Sequence, residues 1–410
     1  MQFSHEQQLA FDLYLSGKNV FLTGPGGTGK SKWIQSVYED ASKKNINVQV
    51  CAMTGCAALL LECNAKTIHS WAGIGLGTNG DKAISNKFSR EKWKAAKILI
   101  LDEVSMLSLR LFELLNQIGQ TIRRSTLPFG GIQLLFCGDF FQLPPIEPGF
   151  CFESPLWSTF TTVHLITIFR QKDEDYQIIL SEIRHGKLSK KSYHALLERI
   201  QPCDNITHLV PTRAKADTIN AHNYSLLAGI EHTYTLQSHT DVEMTEREAH
   251  KQKQFNKQQI DYEITQLKKN VRCEHTYALK VGTLVMCIVN LSETICNGSQ
   301  GIVTGFSNQI PIVKFKHGEI PMPPHVWTSE SIPGIGVSQI PLIYAWAITI
   351  HKSQGCTLDS AKVNAGDSVF ECGQIYVALS RVKSLTGLYL EQFNSNRIFI
   401  NKKVFDFYKT

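Results

Sequence analysis

The sequence predicts an α/β protein built on parallel sheets and divided into two domains of that kind. Three observations carry the prediction. The apolar run Asn19-Val20-Phe21-Leu22-Thr23 leads straight into a glycine-rich turn and then into helical patterning over residues 30–44. Further short Ile- and Leu-rich runs at 98–101 and 132–136 close on acidic or glycine residues, with helical patterning over 107–123 between them. The same alternation returns late, at 208–210, 343–347 and 374–382. Strands that alternate with helices imply a parallel sheet, because a parallel connection needs a crossover.

Each segment has its own justification. Residues 47–52 supply a second strand of the first domain. Residues 280–315 change character to short β runs broken by Asn297-Gly298 and Gly301, the pattern of a small all-β insertion. Residues 246–271 are rich in Lys and Gln, with Phe255, Ile260, Ile264 and Leu267 at near-helical spacing, which predicts one amphipathic helix with a solvated basic face. A length of 410 residues is enough for two or three domains with sizeable cores.

Composition narrows the class. No apolar stretch approaches the roughly 20 residues of a spanning helix, and residues 1–15 lack a basic start followed by an apolar run, so neither membrane insertion nor secretion is expected. The eleven cysteines are odd in number and form no Cys-x-x-Cys pair, which points away from a zinc site or a disulfide framework and toward a reducing, intracellular compartment, nucleus or cytoplasm. A net charge of +6 permits a polyanionic partner without requiring one.

Gly24-Pro25-Gly26-Gly27-Thr28-Gly29-Lys30-Ser31 fits G-x-x-x-x-G-K-[ST] between a predicted strand and a predicted helix, which is the context this motif needs. The glycines let backbone N–H groups turn toward phosphate oxygens, Lys30 reaches the outer phosphates, and the Ser31 hydroxyl can ligate Mg²⁺. The strand at 98–101 ends in Asp102-Glu103, two carboxylates with separate tasks: Asp102 to hold Mg²⁺, Glu103 to polarise the attacking water. Gln142, in Gly138-Asp139-Phe140-Phe141-Gln142-Leu143-Pro144-Pro145, can sense the γ-phosphate or its water, although a strand-ending loop explains that run equally well. Gln7, just ahead of the first helix, has the two hydrogen-bonding edges that adenine would pair with.

Together these blocks resemble the petite-integration-frequency helicases, a branch of superfamily 1 related to the RecD-like enzymes. Further blocks that carry the likeness are Thr54-Gly55, Thr67-Ile68-His69-Ser70, Pro128-Phe129-Gly130-Gly131-Ile132-Gln133, Phe169-Arg170-Gln171 and Pro211-Thr212. Two long ones follow, Ala345-Trp346-Ala347-Ile348-Thr349-Ile350-His351-Lys352-Ser353-Gln354-Gly355 and Tyr376-Val377-Ala378-Leu379-Ser380-Arg381-Val382. The resemblance covers nearly the whole chain. It implies two RecA-like P-loop NTPase domains with ATP and Mg²⁺ in the cleft, a wedge insertion in the first domain and an SH3-like β insertion in the second. The first domain would comprise 1–62 and 98–163 around a wedge at 63–97. The second would comprise 164–228 and 341–410 around an insertion at 229–340. The resemblance makes Arg170 and Arg381 the two arginine fingers and adds Gly355 to the nucleotide-binding set.

Sequence-independent movement along a single strand needs phosphate contacts and stacking platforms. The matching candidates are Thr54, His69 and Ser70 in the first domain and His351, Lys352 and Ser353 in the second. Trp71, Phe140, Phe141 and Trp346 are aromatic candidates for stacking, each beside an apolar strand or sheet edge and so more readily read as core than as a platform. Met53 stands where a proline is common in the family, and Cys56 follows the Thr-Gly pair, which bears on the grip rather than on phosphate chemistry. The expectation is an ATP-dependent DNA helicase active as a monomer, a bare core without regulatory arms. It would move 5′-to-3′ on single-stranded DNA and open forked or structured DNA. A translocase or ATP-driven binding switch without unwinding and an RNA-directed helicase remain as alternatives.

Overall fold

In the computed structural model of the chain, residues 3–409 are described, apart from 62, 75–83, 85–86, 204–205, 272, 290, 293–294, 296, 317 and 330–331. Contacts divide the chain into one unit of residues 1–200 with 365–410 and another of residues 201–364.

The first unit is organised by six parallel strands: β1 (Asn19–Thr23), β2 (Val48–Ala52), β3 (Lys66–Thr67), β4 (Ile98–Asp102), β5 (Gln133–Gly138) and β6 (Phe160–His164). Their order across the sheet is β3-β2-β4-β5-β1-β6. Every residue of β4 is buried, as are the last four of β1, because helices cover both faces and a parallel sheet must be apolar on both. Alternate residues serve opposite layers. Phe21, Leu99, Leu101 and Phe136 pack with Phe112 and Trp157 on one side, while Val20, Leu22, Ile100 and Leu135 meet Trp33, Ile34 and Val37 on the other. The register pairs Thr23 with Gly138, and β4 lies on the far side of β5. The carboxyl ends of β1, β4 and β5 therefore line one rim of the sheet, where α/β folds place their ligands.

Residues 164–200 and 365–410, expected in the second RecA-like domain, pack here within the first unit. The two segments are tied to each other, the Gln171 amide donating to the carbonyls of Ser380 and Val382 and Arg199 to that of Leu388, and to the main sheet, Arg184 donating to Asp139 and Tyr408 sharing a hydrogen bond with Thr23. The segment expected to form a wedge at 63–97 lies partly outside the described residues. Of the rest, β3 forms the edge of the main sheet beside Cys51 and Ala52, and Trp71 from the helix Ile68–Ala72 packs on Trp93 with ring centroids 4.5 Å apart.

In the second unit, strand His208–Val210 lies between Ala347–Thr349 and Ala361–Ala365, parallel to both. A five-stranded antiparallel sheet runs in the order Gly318–Pro321, Ile310–Phe315, Gln300–Ser307, Leu284–Cys287, Leu342–Tyr344. The β runs expected over 280–315 fall within it. The single helix expected over 246–271 is two helices, Glu246–Gln252 and Lys257–Asn270. The break comes from Asn256, whose side chain accepts the Gln259 N–H while the Gln259 side chain accepts the Asn256 N–H, a reciprocal cap that starts a new helix.

Candidate nucleotide site and nucleic-acid track

The helix after β1, Lys30–Lys43, begins at Gly29 with φ +82° and no side-chain cap. Its first N–H groups are therefore left for an anion, at the positive end of the helix dipole. A side chain at Gly29 would sit 2.7 Å from the Gln7 amide nitrogen, and one at Gly27, φ +86°, would sit 2.5 Å from the Arg170 Cβ. Only glycine fits either position. Gln7 is held by a capping box: its Oε1 accepts the Ser4 N–H at 3.1 Å and its Nε2 donates to the Thr28 carbonyl at 3.2 Å. One donor and one acceptor of the amide are thus already used to fasten the first helix to the glycine loop, and one of each remains.

The Lys30 ammonium donates to the Gly24 and Pro25 carbonyls at 2.7 and 2.9 Å, so the lysine folds back over its own loop. Burial lowers its proton affinity, and Asp139, Glu103 and Asp102 oppose that effect. The Asp102 carboxyl is pushed up to about 7, first by burial and then by the neighbouring Glu103 charge, and it accepts the Glu103 N–H at 2.9 Å. A divalent cation beside it would restore the carboxylate. Glu103 adopts φ +55°, a left-handed conformation rare for a residue with a side chain, and such strain gathers at functional sites. Ser31 is exposed in the first turn of the helix. An uncapped helix start, glycines that admit no side chain, a lysine and the Ser31–Asp102 oxygen donors fit a nucleotide with Mg²⁺.

Both arginines converge on this loop. A Cβ at Gly26 would lie 3.3 Å from the Arg381 guanidinium and 3.6 Å from that of Arg170. Arg170 donates to the Ser380 carbonyl at 3.1 Å, and Arg381 donates to the Val377 carbonyl and the Ser380 hydroxyl at 3.0 and 2.9 Å. Gln142 is buried just after β5, where its backbone N–H donates to the Asp139 carbonyl. Gly355, φ +83°, belongs to the second unit.

Sequence reasoning assigned no role to five side chains around the rim. Asp139 is fully buried and takes both arms of Arg184, at 2.9 and 2.8 Å. Burial alone would lower the guanidinium's proton affinity, but the Asp139 carboxylate overrides it and raises it. The Tyr376 hydroxyl accepts the Gly26 N–H at 2.9 Å, and burial followed by Asp139 pushes the phenol up to about 12. Tyr408 shares a hydrogen bond with the Thr23 hydroxyl, accepts the Phe140 N–H and stacks on Phe141 at 4.9 Å. Phe169, exposed, places its ring edge 3.6 Å from the Cβ position of Gly29. Asp139, Tyr376 and Phe169 lay inside recognised blocks, but nothing in sequence spacing joins Asp139 to Arg184 or Thr23 to Tyr408.

The track candidates divide by exposure. Thr54 is half-buried and caps the helix Gly55–Leu61 by accepting the Ala57 N–H. His69 is half-buried, and burial lowers its proton affinity against the opposing Glu147 charge; Ser70 is exposed. His351 and Lys352 are exposed. Ser353 is a correction: it is fully buried and its hydroxyl donates to the Ile350 carbonyl at 2.7 Å, so it braces the turn and offers no hydroxyl to a strand. Trp71, Phe140, Phe141 and Trp346 are likewise buried, as core residues rather than platforms.

A glycine cradle on the rim of a parallel sheet, with a lysine inside it and two arginines above it, places the chain among the P-loop NTPases of RecA-like type. Comparison with known proteins narrows that class. The pattern of the PIF1-like helicases matches residues 2–193, and that of the DNA helicase Pif1 2B domain matches residues 264–306. The ATP-dependent DNA helicase Pif1 of Bdellovibrio bacteriovorus is 33% identical over 100% of this chain and 92% of its own length. The Candida albicans Pif1 helicase structure superposes with a TM-score of 0.77 at 33% identity, covering 100% of this chain and 99% of that one. The Bacteroides Pif1 helicase in complex with ADP-AlF3 and single-stranded DNA superposes with a TM-score of 0.68 at 27% identity, covering 100% and 97%. The chain belongs to the PIF1-like helicase family, and its fold is that of two RecA-like domains. It spans 55–64% of the length of four further curated relatives.

Proposed function

We propose that the chain is an ATP-dependent DNA helicase that moves 5′-to-3′ on single-stranded DNA as a monomer in a reducing compartment and opens forked or structured duplexes. The observation that carries this reading is the convergence of Arg170 and Arg381 on Gly26, at the end of a loop that already holds Lys30. Bound ATP with Mg²⁺ supplies a polarised γ-phosphoryl group and the energy of its hydrolysis. The residues of the chain do the rest. Lys30 leaves the loop carbonyls for the outer phosphates, Ser31 and Asp102 hold the cation, and Glu103 with Gln142 orients and deprotonates the attacking water. The two guanidiniums neutralise charge that spreads over the equatorial oxygens in a loose transition state. Phe169 and the remaining edges of Gln7 take the base.

For the strand, Thr54, His69 and Ser70 form one grip and His351 with Lys352 a second, with Ser353 holding the second in shape. The segment 229–340 is read as an insertion with an SH3-like β module and 63–97 as a wedge. The deciding experiment incubates purified protein with ATP, Mg²⁺ and fork substrates that carry either a 5′ or a 3′ single-stranded tail, with Glu103→Gln as control. Opening of the 5′-tailed fork alone is expected. Opening of neither, despite DNA-stimulated hydrolysis, would replace this reading with a translocase or switch, and equal stimulation by RNA of the same sequence would remove the restriction to DNA.

A further inference from the structure

Two buried polar groups beside the glycine loop have no role in the chemistry above. The Tyr376 hydroxyl accepts the Gly26 N–H at 2.9 Å, and among the described residues its own proton has no acceptor. The Gln171 side-chain oxygen is buried without a partner among the described residues, 3.3 Å from the Cβ position of Gly27, while its amide nitrogen is fixed by the Ser380 and Val382 carbonyls. Both belong to the shell that carries Arg381. Tyr376 lies in the helix Gln374–Leu379, its carbonyl accepts the Ser380 N–H at 2.9 Å, and the Arg381 side chain is tied to the Val377 carbonyl one residue on.

We propose that Tyr376 is a positioning residue that distinguishes nucleotides with a γ-phosphate from those without one, by surrendering the Gly26 N–H to a phosphate oxygen and donating its hydroxyl to that oxygen in turn. The inference rests on the nucleotide site proposed above. Its physical basis is an exchange of hydrogen bonds. The phenol oxygen is the neutral acceptor of an inward-facing loop N–H, and an anionic oxygen is the stronger acceptor for the same donor. Once the N–H is taken, the phenol must either donate or lose its bond, and a buried polar group without a partner is costly. ADP has no third phosphate for the hydroxyl to donate to and leaves the Tyr376–Gly26 bond in place. Because the residue shares its short helix with the anchor of the Arg381 guanidinium, the same exchange sets the arginine's height over the loop.

The test compares wild type with Tyr376→Phe, which keeps the ring and removes only the hydroxyl, by titrating each with ADP·Mg²⁺ and separately with ADP·Mg²⁺ plus fluoroaluminate. ADP affinity within about twofold and a loss of about tenfold for the fluoroaluminate complex are expected, the latter matching one hydrogen bond to a charged group. Tyr176→Phe is the structural control, because Tyr176 is also buried and donates to the Leu379 carbonyl at 2.8 Å on the same helix. It should lower thermal stability and leave the ratio of the two affinities unchanged. Equal losses for both complexes, no loss for either, or the same discrimination in Tyr176→Phe would overturn the proposal. Failure of wild-type protein to bind either complex would instead remove the nucleotide site itself.

Discussion

The nucleotide-facing rim of the first unit is buried and cross-braced, whereas the turn at 351–355 in the second unit has its candidate contacts, His351 and Lys352, exposed. On the rim most polar groups are tied to one another: Asp139 to Arg184, the Gln171 amide nitrogen to Ser380 and Val382, the Tyr376 hydroxyl oxygen to Gly26. On the turn Ser353 and Gln354 are buried, and the Ser353 hydroxyl bond to the Ile350 carbonyl keeps the loop in shape. The difference fits the two tasks proposed for these regions. Phosphoryl transfer gains from dipoles fixed in advance where water is excluded. A grip that must release a strand at every step gains from weak, screened contacts that reform easily.

The largest effect should come from the rim. Lys30→Ala is expected to abolish ATP turnover and Glu103→Gln to reduce it by about 100-fold or more, measured as steady-state phosphate release. Near-normal turnover by either variant would break the contrast at its strongest point. Next comes the brace itself. Arg184→Ala leaves the Asp139 carboxylate buried without its partner and should cost about 3–5 kcal/mol in chemical denaturation. Asp139→Asn combined with Arg184→Met should recover much of that loss, and no recovery would mean that the pair does more than satisfy itself. The smallest effect belongs to the turn. Lys352→Ala should leave the denaturation midpoint unchanged while weakening single-stranded DNA binding and lowering its salt slope by about 1. An unchanged slope would remove Lys352 from the track.

The sequence made the rim's contiguous parts readable. Residues 24–31 and 102–103 work as short runs, so their spacing alone reports strand, turn and chemistry. Groups brought together by folding left no such trace. Arg184 meets Asp139 across 45 residues and Tyr408 meets Thr23 across 385, and each looks alone like an ordinary helix or terminal residue. Burial was legible only in part. Trp71 was readable either as core or as a platform for bases, and its burial against Trp93 makes it core. The inward turn of the Ser353 hydroxyl is set by its bond to Ile350, which no residue pattern announces. The broken helix near residue 255 was legible in principle, since Asn256 and Gln259 stand at capping-box spacing.

Tyr408 also bears on how the protein comes into being. Its hydroxyl joins the end of β1 to the loop after β5, and with Phe407 it fills the aromatic layer behind that loop. A ribosome releases the chain from its amino end, so β1, the glycine loop and β5 emerge long before residue 408 does. Until then the loop lacks its last clasp and the aromatic layer its closing rings. The unfinished rim would expose apolar surface until residues 407–408 have emerged, and it becomes whole only when they fold back upon it.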